Sequence, residues 1–260
     1  MCGGHSFCSG YALDFLGPEA LDLGHCLCRS VYPIKVTAFY LTPMLNILCE
    51  GPGWAVINKP AGIATERHFQ YDTVEARAQA QWKREGARKP AYVGIVHRLD
   101  RVTSGALLLA RNKSTLVKLN TAFAEGKTGK RYWAITAKPL PTPAGDLLHY
   151  LGRQPANKLA FASTRPVPDT KEARLRYRLL EDKDGLYQYE VKLLTGRFHQ
   201  IRAQLAAAGA PIVGDHAYGS LRPLREHCIA LHARYLSFPD PKEDGANIKV
   251  EAPAPDYWLL

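Results

Sequence analysis

The sequence predicts an α+β fold with a largely antiparallel sheet, and three observations carry that reading. Short β-type runs and helical runs are intermixed without the regular strand–helix–strand alternation of a parallel α/β sheet. Residues Ala173–Leu180 and Leu186–Leu194 read as two strands joined by Asp182-Lys183-Asp184-Gly185, a hairpin signal. The 260 residues, 46% hydrophobic and 22% charged, supply an ordinary globular core.

In chain order, residues 1–43 mix Gly, Cys and Pro with short apolar pieces and show no period. They are expected to be a dispensable or poorly ordered N-terminal extension, or upstream sequence read from a misplaced start, with one domain over 44–260. Leu45–Glu50 reads as a strand, Gly51-Pro52-Gly53 as a turn, and Trp54–Asn58 as a strand stopped by Lys59-Pro60-Ala61-Gly62. Thr73 caps a helix expected over Val74–Glu85. Two short β segments, Tyr92–Val96 and Ala106–Ala110, then bracket a polar turn. Lys113 opens a helix with Leu116, Leu119, Ala122 and Phe123 at helical spacing, and Gly126 ends it. Tyr132–Thr136 is a strand, and residues 138–145, with three prolines, are a loop. Much of 146–190 carries no decisive period. Thr195-Gly196-Arg197 breaks the second hairpin strand, Phe198–Ala208 is a short helix ending near Gly209, and Cys228–Ala233 is the last strand expected.

Charge narrows the function. There are 34 basic and 24 acidic residues, a net +10. Residues 1–43 are net −1, so 44–260 carry +11. Six basic residues against one acid lie between Arg111 and Arg131, and a second basic run covers Lys83–Lys89. Such a surplus suits a polyanion, nucleic acid first. No run of 18 apolar residues offers a membrane span. No secretory signal is readable, so reduced thiols and a cytoplasmic location are expected. Four of the six Cys fall in the first 28 residues, yet with His5 and His25 they match no common zinc-ligand spacing.

The chemistry concentrates in Gly94-Ile95-Val96-His97-Arg98-Leu99-Asp100-Arg101-Val102-Thr103-Ser104-Gly105. Asp100 is the only acid between Gly86 and Ala124, and the arginines at 98 and 101 favour its charged form. The bland reading is a turn cap or a surface ion pair. His-Arg-x-Asp differs from the kinase catalytic loop by the intervening Leu99, and no glycine-rich phosphate loop accompanies it. His97, Asp100 and Ser104 lack the G-x-S-x-G elbow of a hydrolase. No metal-ligand or dinucleotide fingerprint occurs, so neither metal nor cofactor is expected.

That stretch resembles the catalytic motif of RluA-type pseudouridine synthases. Val56-Ile57-Asn58-Lys59-Pro60-Ala61-Gly62 is similar to the family's first motif, and Lys130-Arg131-Tyr132-Trp133-Ala134 to its Lys-x-Tyr-x-Ala segment. Leu194-Thr195-Gly196-Arg197-Phe198-His199-Gln200-Ile201-Arg202 is similar to the third, continued by Gly214-Asp215-His216-Ala217-Tyr218-Gly219. Phe198 departs from the family's smaller residue there, and residues 1–43 do not resemble the separate basic RNA-binding domain of many relatives.

The resemblance, covering about residues 45–238, implies a single catalytic domain with a mixed, mostly antiparallel sheet flanked by helices. It implies a monomeric, cofactor-free isomerase acting on uridine in structured RNA, ribosomal or transfer. Asp100 would be the nucleophile or base, Tyr132 the ring stacked on the uracil, and Arg202 the partner of Asp100, its planar fork suited to a bidentate contact. Arg98, Arg101, Lys59, Lys130, Arg131, Arg197 and His199 would contact RNA, with Arg98 filling the space the uridine vacates. The alternative is an RNA-binding module that keeps the fold without catalysis.

Overall fold

The computed structural model describes residues 44–258, apart from 157 and 244. The sequence expectations for residues 1–43 lie outside the described residues. The strands are β1 (Asn46–Gly51), β2 (Trp54–Lys59), β3 (Gly94–Ile95), β4 (Ser104–Ala110), β5 (Gly129–Thr136) and β6 (Ala144–Arg153), then β7 (Ala160–Ser163), β8 (Lys171–Lys183), β9 (Leu186–Leu193), β10 (Leu231–Pro239) and β11 (Asn247–Glu251). The helices are α1 (Val74–Gln81), α2 (Lys113–Ala124) and α3 (Gln200–Ala207). All eleven strands join one sheet in the order β1-β2-β4-β10-β5-β9-β8-β6-β7, with β11 beside β10 and β3 beside β4. β4 and β10 pair in parallel, and every other pairing is antiparallel.

The sheet is mixed because its centre is covered on both faces. Ala106-Leu107-Leu108-Leu109-Ala110 in β4 is apolar without alternation, as a doubly buried strand must be. Leu107 and Leu109 enter a large cluster with Val74 and Ala78 of α1 and Leu205 of α3. Ala106, Leu108 and Ala110 face the other way, onto Leu119 of α2, Trp54 and Phe238. The cleft described below is lined by Gln200, Ile201 and Arg202 of α3 and by Asn120, Phe123 and Ala124 at the end of α2.

The helix ends show their causes. Thr73 Oγ1 accepts from the Ala76 amide at 3.1 Å and starts α1. That helix stops at Gln81, short of the expected Glu85, where the sequence turns to charged residues and Gly86. Asn112 Oδ1 caps α2 through the Thr115 amide at 2.9 Å. α3 starts two residues later than expected, because His199 has φ +52° and cannot continue a right-handed helix. In the β8–β9 hairpin, Asp184 and Gly185 both have positive φ (+53° and +72°), the two-residue turn that suits the twist of a hairpin.

One strand expectation needs correction. The last strands are β10 and β11, not Cys228–Ala233, of which only 231–233 join a strand. β6 and β7, where no period was decisive, complete the far edge.

Candidate active site

Asp100 sits in the loop between β3 and β4, and the backbone of that loop is held from several directions. Thr65 Oγ1 donates to the Leu99 carbonyl at 2.9 Å and accepts from the Leu99 amide at 3.3 Å. The Gly62 amide donates to the Arg101 carbonyl at 2.8 Å. Lys59 Nζ donates to the carbonyls of Thr103 at 2.8 Å, Pro60 at 2.9 Å and Arg101 at 3.3 Å. His97 Nε2 accepts from the Leu108 amide at 3.1 Å, and its ring stacks on Phe123.

These contacts correct one sequence expectation. Lys59 is 0% exposed, so it offers RNA no surface; it fastens the Asp100 loop instead. Burial pulls its pKa down to about 7 against the opposing attraction of Asp100.

α3 supplies the partners of Asp100. Gln200 fixes the start of that helix: its Oε1 accepts from the Arg197 amide at 2.9 Å and its Nε2 donates to the Arg174 carbonyl at 3.0 Å. Two residues further on, Arg202 projects Nη1 to within 3.3 Å of Asp100 Oδ2. The bidentate fork expected for that pair goes elsewhere. Nε and Nη2 donate to the two oxygens of Asp215, at 2.7 and 2.9 Å. Asp215 is 1% exposed and follows Gly214, so the fork is fixed from below while one nitrogen remains for Asp100. Burial works against the Arg202 charge, and Asp215 with Asp100 more than offsets it, so its pKa is raised.

His199 completes the group. Its Nε2 accepts from Arg202 Nη1 at 3.1 Å, and its Nδ1 lies 3.0 Å from the Tyr218 hydroxyl. Those partners assign a neutral ring with the proton on Nδ1. Burial lowers its pKa in the same sense, with Asp100 opposing. Tyr132 on β5 is 7% exposed and lines the same cleft; burial first, and Asp100 second, push its pKa up, so it stays a phenol.

Around these groups the cleft encloses about 1320 Å³, more than the ~300–1,000 Å³ of common small-molecule sites. Seven Lys or Arg side chains line it against Glu66 and Asp100. Arg98, Arg101, Lys130, Arg197 and His199, five of the residues for which the sequence resemblance implies RNA contact, are among its lining residues. Arg131 is not, because it alternates with Tyr132 along β5 and so faces away. It meets Glu190 at 3.5 Å and the Tyr235 ring instead. Thr65, Arg67, Arg153, Asp215 and Tyr218 had no role from the sequence. Only the run Gly214–Gly219 beside the third motif signalled the last two.

The site therefore offers a carboxylate 26% open to a basic cleft, braced by a guanidinium, beside a buried phenol. Such a set can attack an electrophilic carbon or take a proton while cations hold an anionic ligand.

Comparison with known proteins agrees. A family model described as RNA pseudouridylate synthase matches residues 53–207. Ribosomal large subunit pseudouridine synthase C of Rickettsia prowazekii (strain Madrid E) is 32% identical over 228 residues, 86% of this chain and 72% of that protein. An uncharacterized RNA pseudouridine synthase of Chloroflexus aurantiacus is 40% identical over 166 residues, 62% of this chain; the match spans only 50% of that protein's length. The solved structure titled Human RNA Pseudouridylate Synthase Domain Containing 1 aligns with a TM-score of 0.67 at 26% identity, covering 81% of this chain and 84% of its own.

Proposed function

Because the chain belongs to the RNA pseudouridylate synthase family, we propose that it isomerises a specific uridine in structured RNA to pseudouridine. The names of the Rickettsia relatives favour ribosomal over transfer RNA as the substrate. One observation carries the reading: Asp100 is held in a basic cleft with Arg202 Nη1 at 3.3 Å and the Tyr132 ring in the same wall.

The reaction breaks the bond from ribose C1′ to uracil N1 and forms one from C1′ to C5. The hydrogen of C5 is lost and N1 gains one, so no oxidant or reductant enters. Asp100 acts as nucleophile or base in that exchange. Arg202 holds its carboxylate and balances the charge, and Tyr132 lies against the uracil face. The uridine must leave its stack, at a cost of a few kcal/mol, and Arg98, with its side chain 67% exposed at the cleft, fills the vacated space. Arg101, Lys130 and Arg197 meet phosphates.

Two experiments test this. Pseudouridine mapping in RNA from cells lacking the protein is expected to show a missing site that the purified chain restores. Asp100→Asn is expected to abolish that restoration while keeping RNA affinity, since the cations remain. Turnover by Asp100→Asn would overturn the role given to Asp100.

A further inference from the structure

We propose that the exposed aromatic column His68–Phe69–Tyr71, at the mouth of the cleft, is a stacking site for an unpaired nucleobase beside the uridine that enters. The proposal deepens the reading of the cleft as an RNA site and rests on it.

The three rings form one stack. His68 lies 4.8 Å from Phe69, with 17° between planes, and 4.6 Å from Tyr71, with 27°. The column reaches the catalytic loop, for the Arg101 guanidinium sits 4.9 Å from the Tyr71 ring centroid, next in sequence to Asp100. At its other end Phe69 is 89% exposed, so one face rests on His68 and the opposite face is bare. Scattered apolar side chains on a surface need no explanation, but three stacked rings within the four residues 68–71 form a patch.

The column is built in advance of any ligand. The Gln70 amide donates to His68 Nδ1 at 3.1 Å and fixes that ring. At the base of the loop, Ala64 and Thr73 pair as a β-bridge. The Arg67 amide donates to Glu75 Oε2 at 2.8 Å, and Asp72 pairs with Arg77. A preformed platform spends no ordering entropy when a base arrives.

The partner follows from the surroundings. His68, Arg67, Arg98 and Arg101 all line the cleft, so the column continues a wall already suited to phosphates. Flat rings beside cations are how proteins hold single-stranded bases, whose π-faces stack regardless of sequence. A nucleotide flanking a flipped uridine has lost one stacking neighbour, and the Phe69 face replaces it.

The test compares the full chain with Phe69→Ala and Phe69→Trp, using fluorescence anisotropy of a labelled oligouridylate at fixed low salt. Phe69 touches no core, so both variants fold. Phe69→Ala is expected to weaken binding roughly 5- to 150-fold, the range for losing one stacked base, and Phe69→Trp to retain it. Equal binding by Phe69→Ala and the full chain overturns the proposal, as does failure of the unaltered chain to bind oligouridylate. Sedimentation of the same proteins covers the other occupant: a dimer that Phe69→Ala dissolves, with RNA binding unchanged, assigns the face to a second copy and also overturns it. Pseudouridine formation is read separately. Its absence sinks the catalytic reading and leaves the binding comparison to stand on its own.

Discussion

Arg202 answers to two carboxylates with unequal claims. Asp215 takes Nε and Nη2, whereas Asp100 receives Nη1 at 3.3 Å, so the buried acid sets the plane and the half-buried one uses it. A lysine at 202 could not serve both. Arg202→Lys is expected to lower kcat roughly 10- to 100-fold with little change in KM for RNA, measured by single-site pseudouridine formation. An unchanged kcat would remove Arg202 from the site. Asp215→Ala strands a buried guanidinium and is expected to cost roughly 3–5 kcal/mol in urea unfolding. The contiguous motifs made Asp100 and Arg202 legible in the sequence. No spacing says which carboxylate takes a fork, so the hold of Asp215 on Arg202 is visible only in the fold. Elsewhere, His232 is 0% exposed, its Nδ1 2.9 Å from Ser104 Oγ and its Nε2 3.3 Å from the Ala252 carbonyl. Burial, against the help of that carbonyl, lowers its pKa to about 4 from the ordinary 6.5. As pH falls from about 6.5 to 4, the unfolded chain binds a proton that the native chain refuses, so the native state loses stability. The loss is about 3 kcal/mol, complete below pH 4. His232→Gln keeps an acceptor and a donor without titrating. Its stability is expected to fall by that much less than wild type over the same pH window, read by urea unfolding.

At the scale of elements, the central strand β4 shows where backbone rather than side chain dictates the residue. Gly105 has φ +115°, and a Cβ there would meet the Ala233 carbonyl oxygen at 2.4 Å and its amide nitrogen at 2.6 Å, both on the parallel neighbour β10. Backbone cannot step aside as a flexible side chain can. Gly105→Ala is expected to destabilise by roughly 2–5 kcal/mol, from strain and overlap together. Gly126, after α2, also has positive φ (+70°) but nothing within 4 Å, so Gly126→Ala is expected to cost only about 1 kcal/mol. Equal losses in thermal unfolding would mean that close approach to β10 does not matter. The same contrast explains which elements could be read in advance. β4 announced itself by five successive apolar residues, and the β8–β9 hairpin by Asp184-Gly185. β6 gave no such signal, because Leu148 is 46% exposed there and its buried positions include His149 and Gly152. A strand with polar residues inside and apolar ones outside has no period to find. β10 hid for another reason: its register shifts between His232 and Tyr235, which breaks the alternation.

For the whole molecule, charge and packing bear on the same question, where the working unit starts. The basic surplus belongs to residues 44–260, at +11, while 1–43 are net −1. Among the described residues the chain is anchored from Leu45. That residue is 4% exposed, its amide donates to Gln81 Oε1 at 2.7 Å, and its carbonyl accepts from Gln81 Nε2 at 3.2 Å. β1 is thereby tied to the end of α1, and Met44 before it is 73% exposed. Both sheet faces at β4 are filled by residues between 45 and 258. We therefore propose that residues 44–260 suffice for folding and activity. A chain starting at Met44 is expected to be soluble, to modify the same uridine as the full chain, and to give the same slope of log affinity against log salt. That slope counts the phosphates met, at about 0.7 per contact on single strands. A shallower slope for the shorter chain would show that residues 1–43 reach the RNA, and an insoluble or inactive product would make them part of the enzyme.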